Sequence, residues 1–111
     1  MLKNLKAARL AFEDVVDFVV RESKANPNAV FAGSVTYLML GGNLMAGWQM
    51  ARALLVAERA LAAGEGDRPF LEAKVTTARF YAEHLLSRAP SMRDAIVDGA
   101  ESVTALPLEA F

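Results

Sequence analysis

Cysteine is absent from the chain and histidine occurs once, at His84. The first absence excludes disulfides and thiolate metal sites and fits a cytoplasmic protein. The second excludes the paired Glu-x-x-His motifs that hold two metal ions inside helical bundles, and the residue three before His84 is Tyr81, not a glutamate. An excess of charge of either sign is also missing, since 12 basic and 13 acidic residues leave a net charge of -1. No basic surplus is available to neutralise phosphates, so nucleic acid is not an expected partner. No stretch alternates with period two, which removes strands from the expected fold. The N-terminus carries lysines but soon turns acidic, unlike a secretory signal peptide.

Apolar residues are abundant, at 54% of the 111 residues, with a mean hydropathy of +0.24. They concentrate in Val30 to Ala57, within a run that carries no charge from Ala25 to Ala51. Apolar side chains there fall on every face of a helix, and such a helix is expected to be buried by protein or by lipid. The lipid option is opposed by Ser34, Thr36, Asn43 and Gln49, by Pro27 and Gly33, and by the lack of a close basic flank. The other segments are amphipathic and have apolar faces to offer. The expected fold is therefore all-α, one domain over residues 1–111, an antiparallel bundle of three to four helices around a long apolar central helix.

Taken in order, Met1 to about Ser23 reads as an amphipathic helix with Leu2, Leu5, Ala8, Phe12, Val15, Val16 and Val19 on its apolar face. Arg9–Glu13 and Asp17–Arg21 are spaced as ion pairs. Lys3, Lys6 and Arg9 crowd the positive end of the helix dipole with only Asn4 as a cap, so the helix is expected to continue upstream in a longer chain. Asn26-Pro27 breaks the pattern. The second helix starts between Asn28 and Ser34 and ends near Ala62, with Gly41, Gly42 and Gly47 read as points of close helix approach or of a kink at Gly41-Gly42. Gly64 suits a left-handed helix end, and Asp67 a cap for a third helix from about Arg68 to Arg88. Pro90 kinks or ends that helix. A fourth segment, from Ser91, carries Met92, Ile96, Val97, Ala100, Val103 and Leu106.

Residue chemistry gives no catalytic, cofactor-binding or metal site. Gly64-Glu65-Gly66 lacks the strand and third glycine of a dinucleotide fingerprint. His84 and Ser87 lack an orienting third group. Glu13, Asp14, Asp17 and Glu22 belong to a solvated face. Asn43, Gln49 and Arg52 are polar groups on a helix expected to be buried and so need partners or a second subunit. Trp48 with Met39, Met45 and Met50 reads as core rather than as an acyl or flavin pocket. As a buried aromatic, Trp48 is expected to cost roughly 3–5 kcal/mol on truncation to alanine.

Three motifs nevertheless resemble one family. Tyr37-Leu38-Met39-Leu40-Gly41-Gly42 with Gly47-Trp48-Gln49-Met50-Ala51-Arg52-Ala53 is similar to the central signature of the extra C-terminal helical domain of acyl-CoA dehydrogenase-like flavoenzymes. Ala73-Lys74 with Thr77-Ala78-Arg79-Phe80-Tyr81-Ala82-Glu83-His84 is similar to that family's lysine-to-histidine helix, and Gly99-Ala100-Glu101-Ser102-Val103 follows, with a tail ending in Phe111. Two positions depart from the family pattern: Gly42 replaces a bulky residue and Ser87 a proline. The resemblance implies a parent enzyme that uses FAD to convert an acyl-CoA to the enoyl-CoA. It also implies that the catalytic glutamate and flavin motifs lie upstream and that this domain is non-catalytic. The implied partners are the upstream catalytic domains and a homo-oligomer, with no membrane. Tyr37, Gly41, Gly47, Trp48, Arg52, Arg79, Tyr81 and His84 are then packing or interface positions. The alternative reading is a self-contained helical dimerisation or partner-binding module.

Overall fold

The structure, a computed structural model, describes residues 1–111, and all its ordered elements are helical. Helix α1 covers Leu2–Ala25, α2 Pro27–Ala32, α3 Ser34–Ala63, α4 Arg68–His84, α5 Ala89–Val97 and α6 Ala100–Val103. Short 3-10 turns occupy Leu86–Arg88 and Leu108–Ala110. The all-α expectation holds.

On α1 the buried stripe is Ala8, Ala11, Val15 and Phe18, again at steps of three and four. It is rotated from the expected stripe, since Leu2 is exposed and Phe12, Val16 and Val19 are only half-buried. The helix turns its narrow alanine side to the joint between α4 and α5, where Ala82, Leu86 and Ala89 belong to the same cluster. Asn4 is no cap. Met1 holds that position without a side-chain bond, and the Asn4 amide instead donates to the Ala82 carbonyl at 2.8 Å. Arg9 does pair with Glu13, at 3.5 Å, but Arg21 turns to Glu22 rather than to Asp17.

The expected second helix is two helices, bent at Gly33 and continuous through Gly41 and Gly42. Gly33 is buried, and a Cβ there would lie 2.9 Å from Cγ2 of Ile96. Ile96 on α5 thus packs against bare backbone at the bend. At the far end of α3, Gly64 is left-handed (φ 68°). Its N–H donates to Leu61 while the Glu65 N–H donates to Ala60, the paired bonds that close a helix C-terminus. The Asp67 side chain then accepts from the Phe70 N–H and starts α4, as expected.

The expected third helix stops early, at His84 rather than near Arg88. Pro90 has no N–H to donate to Leu86 and its ring would crowd that carbonyl, so the helix cannot run on through it. Pro90 sits instead in the first turn of α5. Arg93 ties α5 to α1, bonding Asp14 at 3.3 Å and also Asp94 and Asp98. The Asp94 hydrogen bond is the main reason its guanidinium holds its proton more tightly than usual.

The assembly is long and thin, 66 × 28 × 16 Å, with a radius of gyration of 18.5 Å. A compact domain of this length would have a radius near 13 Å. Met1, Leu2 and Leu5 line one cleft with Ala51, Leu54 and Leu55, so α1 begins opposite the second half of α3. Beyond that level only the α3–α4 hairpin continues, which accounts for the length. Only 14 residues are buried. Here the expectation of a central helix covered on all sides fails: α3 buries Leu40, Gly47 and Ala57 and leaves Val35, Leu38, Met39, Met45, Leu55 and Val56 more than half exposed. Too few helices surround it. No helix is long and apolar enough to cross a membrane.

Gly47 is the closest approach of α3 to the α4–α5 joint. A Cβ there would lie 2.5 Å from Cδ2 and 2.9 Å from Cγ of the fully buried Leu86. Gly41→Ala would meet only Phe12, at 3.4 Å. The same substitution is therefore expected to act in opposite directions. Gly47→Ala should lower stability by roughly 1–2 kcal/mol through overpacking, and Gly41→Ala should raise it by up to ~1 kcal/mol through helix propensity. Thermal unfolding of the two variants checks the signs.

Candidate functional site

Two features stand apart from ordinary packing: a polar lock at the α4–α5 joint and an open apolar face on α3. The lock follows from the early end of α4. A helix that stops leaves its last carbonyls without intrahelical donors. Asn4 from α1 donates to the Ala82 carbonyl at 2.8 Å, and Asn43 from α3 donates to the Leu85 carbonyl at 2.8 Å. Ser87 donates its hydroxyl to the Glu83 carbonyl at 2.6 Å. The Tyr81 hydroxyl reaches Oδ1 of Asn43 at 3.0 Å and its carbonyl at 3.2 Å. No buried side-chain polar atom is left without a partner. Burial raises the Tyr81 phenol above its ordinary value of 10.0.

The expected candidate residues divide between these two features. Tyr81 belongs to the lock and Gly47 to the packing beneath it. Tyr37 lies edge-on to Phe12, ring centroids 5.6 Å apart, and with Gly41 lines an apolar groove of about 450 Å3 between α1 and α3. Trp48 and Arg52 lie at the surface of α3, the guanidinium 5.3 Å from the indole centroid. Arg79 is exposed, and His84 stacks on Phe80 at 4.6 Å on the outside of α4. The sequence reading of Trp48, Met39 and Met45 as core is corrected: they are 46%, 58% and 56% exposed. Arg52 needs no buried partner, because it is exposed and bonds Gln49 at 3.4 Å. Asn43 does have the partners its position demanded. The packing and bonding roles of Asn4, Leu86 and Gly33 carry no local signal, because their partners Ala82, Gly47 and Ile96 lie 39 to 78 positions away.

No group of three or more His, Cys, Asp or Glu could hold a metal ion. Ser87 spends its hydroxyl on a backbone carbonyl, so it is not poised against His84. The FAD implied by the sequence resemblance does not fit this chain's own residues. Two of the larger apolar grooves are shallow clefts, one between α1 and α3 and one between α3 and α4, the second lined by Val56, Phe70 and Leu71. The α4 N-terminus, where a pyrophosphate would be drawn, is already occupied by the Asp67 carboxylate.

Residues 1–107 match the family described as "Acetyl-CoA dehydrogenase C-terminal like". The chain is 40% identical over 101 residues to 3-methylmercaptopropionyl-CoA dehydrogenase of Ruegeria pomeroyi, covering 91% of this chain and 17% of that enzyme. It is 41% identical over 81 residues to the broad-specificity linear acyl-CoA dehydrogenase FadE5 of Mycobacterium tuberculosis, covering 71% of this chain and 13% of that enzyme. The chain thus spans a small part of the curated relatives it matches. No solved structure gives a significant match.

The lock predicts that Asn43→Ala lowers stability by ~1–3 kcal/mol, since it strands the Leu85 carbonyl, and that Tyr81→Phe costs ~0.5–1.5 kcal/mol. The two losses should not add, because both remove the Asn43–Tyr81 bond, and a double-mutant cycle by denaturant unfolding measures the shortfall. As pH rises, the unfolded chain gives up the Tyr81 proton first, so the folded state holds more protons. Stability is therefore retained below the ordinary phenol value and lost as pH climbs through the raised one. Melting temperatures in alkaline buffers should fall less steeply for Tyr81→Phe. Half-exposed Trp48 should cost only ~1–2 kcal/mol on truncation to alanine, below the range for a buried aromatic.

Proposed function

The chain belongs to the acetyl-CoA dehydrogenase C-terminal-like family, and we propose that it is the non-catalytic docking domain of an FAD-dependent acyl-CoA dehydrogenase. The observation that carries this reading is the open apolar face of a thin, elongated helical layer. Seventeen large hydrophobic side chains are exposed in a chain of 111 residues, among them Leu38, Met45, Trp48 and Phe70. A surface of this kind is normally covered by another protein surface. In the parent enzyme that cover comes from the upstream catalytic domains and from subunit contacts, with Trp48 and Arg52 at the contact. Tyr81 and Gly47 hold the layer in shape from within.

The proposed division of labour is simple. The parent's catalytic domains bind FAD and remove two hydrogens from an acyl-CoA, leaving the enoyl-CoA and reduced flavin. The names of the two relatives support a linear or thioether-containing acyl-CoA as the parent's substrate, and the proposed setting is the cytoplasm. This chain contributes shape and contacts, and no proton or hydride passes through its residues.

Purified alone, the 111-residue chain is expected to show helical circular dichroism, no visible flavin absorbance and no reduction of an electron-acceptor dye with acyl-CoA. Stoichiometric flavin carried through purification, or turnover of acyl-CoA, would overturn the reading.

A further inference from the structure

The groove between α3 and α4, of about 400 Å3, has a floor of one chemistry and a rim of another. Ala53 and Ala57, one turn apart on α3, are too short to fill the space beside Phe70 and Leu71 of α4. Arg52 and Lys74 bring the only charges to its lining, so the rim is doubly positive and holds no carboxylate. Neither cation has an acidic partner in this chain. Each lies over an aromatic ring instead, Arg52 5.3 Å from the Trp48 centroid and Lys74 5.1 Å from that of Phe70. Both charges therefore rest at the edge of an apolar surface, and whatever covers that surface takes water from them. A cation covered without a partner is strongly unfavourable, so the occupant has to bring carboxylates.

We infer, on the docking reading above, that this groove seats an acidic amphipathic helix from the upstream part of the parent enzyme. Two of its carboxylates pair with Arg52 and Lys74, and an apolar side chain between them drops over Ala53 and Ala57. The lining of α3 runs from Gln49 to Ala57, roughly 12 Å or just over two turns, which suits a short helix laid in the seam of an antiparallel pair. The first helix leaves the seam free. Met1, Leu2 and Leu5 lie against Ala51, Leu54 and Leu55, on the side of α3 turned away from Arg52, Ala53 and Val56.

No single helix of a second copy could supply the two carboxylates. Asp14, Asp94 and Asp98 are held by Arg93, Glu13 by Arg9, Glu22 by Arg21 and Glu72 by Arg68. Asp67 caps α4. The carboxylates left free on the helices stand one to an element: Asp17 on α1, Glu58 on α3, Glu83 on α4 and Glu101 on α6. The acidic pair thus has to come from residues outside this chain. A free acyl carboxylate fits less well, since one anion satisfies one of two cations and a shallow cleft cannot bury most of a small ligand.

The test uses the full-length parent enzyme. A water-soluble carbodiimide joins a lysine amine to a carboxylate in contact with it, and it should link Lys74 to an Asp or Glu upstream of this domain, located by mass spectrometry of the joined peptides. In about 1 M salt, which screens charges beyond about 3 Å, the yield of that link should fall roughly 10-fold. Arg52→Glu with Lys74→Glu should leave the melting temperature of the isolated 111-residue chain nearly unchanged, because both side chains are exposed and without acidic partners there. In the parent enzyme the same pair of changes should speed release of the domain by limited proteolysis at least roughly 10-fold. Lys6→Glu, on α1 across the hairpin from the groove, should alter neither. A link from Lys74 to a second copy, no link from Lys74, a fatty acid retained by the enzyme and lost from the double variant, or equally fast release of the Lys6→Glu enzyme would each overturn the proposal. Unchanged slow release of the double variant would overturn it too and leave docking standing, whereas fast release from the unaltered enzyme would overturn docking as well.

Discussion

Leu86 reaches the backbone of α3 because residue 47 has no side chain to keep it away. With Cγ only 2.9 Å from the position a Cβ would take, no other residue type fits at 47 without displacing a side chain that is itself fully buried. The contact fixes where the α4–α5 joint sits along α3, and Ala8, Ala11, Val15, Ala82 and Ala89 gather around the same point. The small residues matter as much as the large ones here. Alanines on α1 and α4 let three helices meet at one level, and the larger apolar side chains are left to point outward.

The joint also needs its backbone satisfied. Pro90 forces α4 to stop short, and a helix end in half-buried surroundings costs free energy unless its carbonyls find donors. Two asparagines from two other helices and one local serine supply them. Packing and hydrogen bonding are therefore coupled: Gly47 sets the depth of Leu86, and that depth brings Leu85 within reach of Asn43. A change at either place disturbs both. Because the core is this small, the lock carries a larger share of a marginal stability than it would in a closed bundle.

What the chain withholds from its own core underlies the docking role proposed for it. A lone helical layer cannot cover both of its faces, and folded domains normally bury one layer against another. The exposed side of α3, the Phe70–Lys74 region of α4 and the tail are apolar in places where a free-standing domain of this size would be polar. The membership of a family of domains attached to acyl-CoA dehydrogenases gives that surface a natural use. Contacts made there would act on the enzyme through positioning and assembly. In the proposed reading the chemistry stays with groups outside this chain.

Much of this was legible in the residues. Helical periodicity gave the all-α class; Gly64 and Asp67 marked the α3–α4 turn because local backbone geometry selects them; and the motifs around Tyr37, Trp48 and Arg79 identified the family. Tertiary structure decided the rest. Whether an apolar side chain is core or surface depends on how many helices arrive to cover it, and hydropathy cannot count them, so Trp48 and Met45 emerged exposed. The partners of Asn4, Asn43 and Gly33 lie 38 to 78 residues away, a separation across which no local pattern carries information. Local chemistry wrote the helices and their ends into the chain, while the depth of each face was set only when distant helices came together.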